Sequence, residues 1–428
     1  MKVLMFGWEF PPHIAGGLGT ACYGMTKGLA NSGVEVLFVM PSASGDEDQS
    51  SVRIINASDV AVYDTCRNVD EFLGKVQFLR VGSNIHPYMD PEDFSSLVES
   101  EQKFQSEEFK MYFRQKYKFS GKYGKNLMEE VARYAMVAGA IAADNSFDVI
   151  HAHDWLTYMA GIAAKRVSGK PLVIHVHATE FDRGSSVNPE VFRLEKMGME
   201  EADKVITVSN LTRNIVINKY GIDPSKVVTV HNAVDFSGRS AISAKRGVSE
   251  KVITFLGRIT FQKGPEYFIE AAAKVLKMCP EGVRFVMAGS GDMMNRCIRQ
   301  VARLGIGDKF HFTGFLRGDD VQKMFALSDV YVMPSVSEPF GISPLEAMKS
   351  DVPAIISKQS GVAEVLKYAI KVDFWDIDAL ADAMYGLLQY PALSKVAIEK
   401  GREEVDALKW DSAAVKVKAV YEAAIEGK

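Results

Sequence analysis

Short apolar runs alternate with amphipathic stretches along nearly the whole chain, the pattern of parallel sheets covered by helices. In the first half the strand-like runs are Val3 to Phe6, Val34 to Met40, Phe147 to Ala152, Leu172 to His177, Val205 to Val208 and Val227 to Val230. A polar, weakly patterned stretch begins after Val234, and residues 235–250 read as a linker. A second series follows at Val252 to Leu256, Phe285 to Ala288, Phe310 to Thr313, Val330 to Met333, Ala354 to Ile356 and Ile370 to Val372. The two series predict an α/β protein of two doubly wound, Rossmann-like domains, 1–234 and 251–410. They are expected to face each other across a cleft, with ligands at the carboxyl ends of the strands.

At 428 residues the chain exceeds one ordinary core, in keeping with two domains. Its 47% hydrophobic and 24% charged residues are those of a soluble globular protein. A net charge of −4 argues against nucleic acid as a partner. Cys22, Cys66, Cys279 and Cys297 form neither a C-x-x-C pair nor a disulfide framework, which points to a reducing compartment. The apolar start Val3 to Phe6 is interrupted by Glu9, Pro11 and Pro12 too early for a secretory signal. No window is long and apolar enough to span a bilayer. The expected location is the cytoplasm.

The stretch Ser337 to Met348 carries the most chemistry. Glu338 and Glu346 flank a helix start directly after the apolar run Val330 to Met333. Ser343 as N-cap, Pro344 at the first helical position and Glu346 three residues after the cap spell a capping box. Glu346 is thus open to two readings, a cap or a ligand contact. Glu338 lies outside the helix, in the mouth of a strand-to-helix turn, where a carboxylate orients something polar. The amides of Gly341, Ile342 and Ser343 at the positive helix end would attract an anion such as a diphosphate. Arg258 and Lys263 follow the first strand of the second series, where a guanidinium fork and an ammonium point charge would neutralise a leaving diphosphate.

Three features of the first half complete the candidates. Gly16-Gly17-Leu18-Gly19 lies between a strand and a helix, where it serves either amide contact with a ligand or close helix packing; it is not a G-x-G-x-x-G fingerprint. His151 and His153 share one strand face, as do His175 and His177, with Asp154 alongside. The readings are structural histidines or a metal site, and since no further ligand accompanies them at fixed spacing, no metal is expected. His177 is the one best placed at a strand end. From Lys110 to Lys125, six cations interleave with aromatics and no acid, among them Tyr112, Tyr117 and Tyr123. That segment reads as a solvated helix, with a sugar-binding aromatic platform or a membrane-surface contact with anionic lipid as the functional alternatives.

The residues Gly16-Gly17-Leu18, His151-Ala-His-Asp-Trp155, Val176-His-Ala178, His231-Asn232, Gly257-Arg258 to Lys263-Gly264, Gly289-Ser-Gly291 and Glu338-Pro-Phe-Gly341 to Glu346 resemble, in order, the retaining glycosyltransferases of family four, with the GT-B fold, and among them the glycogen and starch synthases. The spaced glutamates combined with the Arg-Lys loop are the specific part. The resemblance implies transfer of a sugar, glucose in the glycogen and starch type, from a nucleotide-sugar donor such as ADP-glucose or UDP-glucose to a glycan acceptor, an α-1,4-glucan. It implies that Arg258 and Lys263 hold the donor diphosphate, Glu338 the sugar hydroxyls and Glu346 the ribose. His177 would stand near the anomeric centre and Asp154 near the acceptor. Gly16, Gly17, Gly341, Ile342 and Ser343 would line the donor pocket. No cofactor and no metal are implied, and residues 411–428 would form a helix crossing back to the first domain. Two departures stand out. Ile14 occupies the place of a phosphate-binding lysine of bacterial glycogen synthases, which weakens the case for ADP-glucose, and Asp351 stands where many relatives carry glycine. The rival readings are a family-four transferase acting on a lipid-linked or small acceptor, an NDP-sugar epimerase of the same fold, and a metal-dependent hydrolase.

Overall fold

A computed structural model describes residues 1–13, 17–60, 62, 116–121, 126–184, 186–234, 247 and 249–427. The chain divides into two compact units, one of Met1–Phe181, Ser186–Ala233 and Trp410–Lys428, the other of Asp182–Ser185 and Val234–Lys409. Of the expected linker, only 247, 249 and 250 fall within the described residues.

The first unit holds a sheet of β1 (Lys2–Phe6), β2 (Glu35–Met40), β3 (Arg53–Asn56), β4 (Val149–His153), β5 (Leu172–Val176), β6 (Lys204–Thr207) and β7 (Val227–Thr229). All pairs are parallel, in the order β3-β2-β1-β4-β5-β6-β7. Both faces are covered, so successive residues of one strand enter different cores. Leu4 and Phe6 pack with Tyr134 and Met159, whereas Val3 and Met5 pack with Cys22, Met25 and Trp410. That second core joins the helix Gly17–Asn31 to the last helix, Trp410–Glu426. The contact is close: a Cβ added at Gly24 would lie 2.1 Å from Trp410 Nε1, and one at Gly28 2.7 Å from Trp410 O. Asn31 Nδ2 donates to Asp411 at 2.9 Å and Lys418 Nζ to Ser32 O at 3.1 Å.

The second unit holds β8 (Lys251–Leu256), β9 (Val283–Ala288), β10 (Phe310–Gly314), β11 (Val330–Met333), β12 (Ala354–Ser357) and β13 (Ile370–Val372), parallel in the order β10-β9-β8-β11-β12-β13. In each sheet the order reverses beside the first strand, between β1 and β4 and between β8 and β11. Loops leaving the two strands at such a point diverge, and the gap between them is where doubly wound sheets take ligands. The expected strands of both halves are present, and β3 is an addition at an edge.

Candidate functional site

In the second unit, the loops after β8 and β11 bring the cationic and acidic candidates together. The backbone after β8 is clamped to the loop after β9: Ile259 N donates to Ser290 O at 2.8 Å and Met293 N to Ile259 O at 3.0 Å. Glycine is required there, since a Cβ at Gly289 (φ 145°) would sit 1.8 Å from Gly257 O. The chain then makes a 3-10 turn, Phe261–Lys263, and Gly264 at φ 66° opens the helix Pro265–Met278. A Cβ at Gly264 would lie 2.1 Å from Pro334 O, so the turn that carries Lys263 rests directly on the end of β11. Val336 N donates to Gln262 O at 2.9 Å, which ties the two loops together.

Held this way, the Lys263 ammonium makes an ion pair with Glu338. Ser335 Oγ donates to the same carboxylate oxygen, Glu338 Oε2, at 3.3 Å. The Glu338 backbone is fixed as well, its N donating to Gln359 O at 3.0 Å and its O accepting from Gly361 N at 2.9 Å. Arg258 donates from its terminal nitrogen to Gln262 Oε1 at 2.8 Å. Gln262 and Ser335 were not legible as site residues; both are buried, and each contacts a charged group of the site.

The helix after Glu338, Ser343–Lys349, departs from the sequence expectation. Ile342 takes the N-cap position and makes no side-chain cap. The Ser343 hydroxyl instead meets Tyr331 Oη at 2.8 Å, and the same phenol reaches Leu256 O at 3.3 Å. Burial pushes the Tyr331 phenol up, so it stays protonated. No capping box forms, because its hydroxyl is engaged by a buried tyrosine. Glu346, half-buried in the first turn, still complements the helix dipole. Gly341 has φ 101°, a conformation for which glycine is favoured. Asp351 follows the same rule, with φ 60° and an ion pair to Arg402 at 3.2 Å, so aspartate fills a left-handed turn position without a glycine.

In the first unit, four histidine rings stack on one face of β4 and β5. Register places His153 opposite His175. Ring centroids are 4.2 Å apart for His151 and His153, 4.3 Å for His175 and His177, and 5.3 Å for His153 and His175. His153 Nδ1 meets His177 Nε2 at 2.9 Å, and His151 Nδ1 meets Tyr421 Oη at 2.6 Å. Burial lowers the pKa of His151 and of His177 to about 3 and holds His153 and His175 well below the usual value; for all but His177, repulsion by neighbouring rings adds to it. All four are neutral near pH 7. Asp154, 3% exposed, adopts φ 58° and ψ 168°, and its Oδ1 accepts from His177 N at 2.7 Å and Ala178 N at 3.3 Å. The carboxylate expected near an acceptor is therefore spent on the backbone that carries His177.

The glycine turn is only partly described. Gly17 begins its helix and Gly19 N donates to buried Glu9 Oε1 at 3.1 Å, while Gly16 and Ile14 lie outside the described residues. Of the basic aromatic segment, only 116–121 is described, and Tyr112 and Tyr123 lie outside it. Over 116–121 there is no helix. Phe119 is buried against Tyr134 at 6.1 Å, and Tyr117 packs on the same core. These two aromatics anchor the segment to the sheet's covering layer, which corrects the solvated-helix reading there. Among the described residues two groups have metal-ligand chemistry, Cys22 with His153 and His177, and His151 with His153 and His175; the ligand atoms of each group lie within 4.8 Å of one another.

A family model of the starch synthase catalytic domain matches residues 2–229, more than half of the chain. The chain belongs to that family of glycosyltransferases. Residues 239–404 match the group 1 glycosyl transferases. Over its full length the chain is 28% identical to an uncharacterised glycosyltransferase of Methanocaldococcus jannaschii, covering 99% of that protein. It is 24% identical to the glycogen synthase of Mycobacterium tuberculosis, covering all of this chain and 96% of that one. The catalytic domain of starch synthase IV from Arabidopsis thaliana, solved with ADP and acarbose, superposes with a TM-score of 0.66 at 16% identity over 99% of each chain. The protein is a hexosyltransferase with the GT-B fold. Among the described residues no helix is long and apolar enough to cross a membrane.

Proposed function

We propose that this transferase moves glucose, with retention of configuration, from a nucleoside diphosphate glucose to the end of an α-1,4-glucan. The observation that carries the reading is the Lys263–Glu338 ion pair at the β8/β11 switch point. An ammonium and a carboxylate in contact offer one partner to a diphosphate and the other to sugar hydroxyls. The second unit then serves the donor and the first the acceptor.

In this reading Arg258 and Lys263 hold the diphosphate and stabilise it as it departs, when its charge is greatest. Glu338 accepts from the donor sugar and Glu346 from the ribose, while the amides of Ile342 and Ser343 line the donor pocket with Gly341. Fixed cations make a metal or other cofactor unnecessary. Neutral His177 presents its ring edge or its carbonyl to the anomeric carbon, and Asp154 fixes its backbone. The nucleophile attacks from the side the leaving group vacates, so the glutamates are not the acid and base of a glycoside hydrolase. The glycogen synthase of Mycobacterium tuberculosis and the ADP and acarbose of the Arabidopsis starch synthase support a nucleotide donor and a glucan acceptor.

The test is a screen of ADP-, UDP- and GDP-sugars against maltooligosaccharides, polyprenyl phosphates and small polyols, with linkage and anomeric analysis of products. Elongation of maltooligosaccharides by α-1,4-linked glucose is expected. Donor epimerised without acceptor, or a β-linked product, would overturn the reading.

A further inference from the structure

We propose that Cys22, His153 and His177 form a site for a soft divalent metal of the zinc type, and that its occupation silences the transferase. The silencing rests on the role assigned above to His177; the binding does not.

Three donors from three elements converge here. Cys22 comes from the helix Gly17–Asn31, His153 ends β4 and His177 follows β5. Thiolate and imidazole are the donor set of zinc, and their ligand atoms already lie within 4.8 Å of one another. His153 Nδ1 and His177 Nε2 face each other at 2.9 Å, whereas two nitrogens on one tetrahedral zinc stand roughly 3.3 Å apart. Inserting the ion means opening that contact slightly and turning the Cys22 thiol inward.

The other histidine group is the poorer choice. A metal must lie in the plane of each ligating ring, and the His151 and His175 rings are stacked at 13° with centroids 5.4 Å apart, so their lone pairs lie in nearly parallel planes that one ion cannot share. His153 and His177 are inclined at 34°, and a thiol adapts to them by rotation about one bond. The surroundings carry the right sign. The carboxylates of Glu9 and Asp154 are buried and lie near enough to Cys22 to act on its thiol. Burial first, and then their negative field, oppose a bare thiolate, and a divalent cation takes the proton's place on sulfur: the S–H proton leaves to solvent as the metal–sulfur bond forms. His153 Nε2, buried and without a partner among the described residues, marks a ring whose polar capacity is underused. His177 is half-buried while Cys22 and His153 are fully buried, so the His177 ring is the side on which an ion would enter. Once ligated, its ring is withdrawn from substrate.

The experiment uses the full chain stripped with chelator, then titrated with Zn²⁺ at saturating donor and acceptor. Desalted protein is expected to retain one zinc per chain, to lose at least tenfold in turnover, and to recover with chelator. Co²⁺ in place of zinc is expected to give a thiolate-to-cobalt charge-transfer band in the near ultraviolet. Cys22→Ala, with Cys22→Ser as the alternative if Ala folds poorly, should keep the zinc-free turnover and lose retention, band and inhibition together. No retained zinc, or retention and inhibition unaltered in the Cys22 variants, overturns the site. Stoichiometric zinc with full turnover overturns the silencing. The retention and cobalt readouts need no substrate, so they stand apart from any failure of the proposed transfer.

Discussion

In the protein without substrate, the Lys263 ammonium is paired with the Glu338 carboxylate, and Ser335 shares the same oxygen. Each charge is thereby held in a geometry that a donor would inherit. Replacing Lys263 with Ala is expected to lower turnover by ~100-fold or more, the size seen when one preorganised donor is removed. It also leaves Glu338, whose side chain is 8% exposed, without its cation. A drop in thermal stability should accompany the loss of rate, and steady-state kinetics beside a melting curve checks both; an unaltered turnover sinks the assignment.

Glu338→Gln should depress turnover by about 1.5–3 kcal/mol, the worth of a charge-assisted hydrogen bond. Coupling with Lys263→Met in a double-mutant cycle measures the pair itself. Fully additive effects would mean that the two act apart.

Glu346→Gln separates ribose binding from helix stability. Since no capping box forms, the amide should leave the melting temperature within a degree or so while raising the donor KM. Unchanged donor affinity would remove Glu346 from the site.

Gly264→Ala tests the backbone under Lys263. The added methyl meets Pro334 O, and φ 66° is unfavourable to alanine, so a cost of about 1–3 kcal/mol is expected together with displacement of the ammonium. Activity should fall more than stability. Normal kinetics would show that the turn adjusts freely.

The histidine stack sets a pH dependence of stability. In the unfolded chain these rings titrate near 6.5, and in the folded one His151 and His177 titrate at about 3. Between those values the unfolded state binds more protons, so stability is greatest above about pH 6.5 and falls as pH drops toward 3. Each uncoupled ring contributes a slope of about 1.4 kcal/mol per pH unit. Urea midpoints at pH 7 and pH 5 check it. His175→Phe should flatten the slope, and equal midpoints in the wild-type protein would contradict the buried, neutral stack.

Much of this was legible in the chain because both sheets are buried on two faces, which leaves continuous apolar runs such as Val330 to Met333. The exception, β3, is an edge strand whose Arg53-Ile-Ile-Asn56 offers only two apolar residues. That Lys263 and Glu338 would meet was readable because both follow strand ends beside the switch point. The capping box was misread since local spacing cannot reveal that a tyrosine twelve residues upstream, Tyr331, takes the Ser343 hydroxyl. Spacing likewise gives two H-x-H pairs but not the register that stacks His153 on His175, nor Cys22 arriving from another element. Gln262 and Ser335 carry no signature, as neutral side chains acquire their meaning only from the charges they touch.

The last helix lies in the first unit, its Trp410 seated against Gly24 and Gly28 and its Tyr421 bonded to His151. During synthesis, then, the sheet that holds β1 cannot close one of its faces until residues 410–426 have emerged. The first unit is complete last. A chain cut before Trp410 would leave Val3, Met5 and Phe38 under an open face, so loss of the helix Trp410–Glu426 acts as a lesion of the distant core around β1, and messages cut short there yield chains for the proteases.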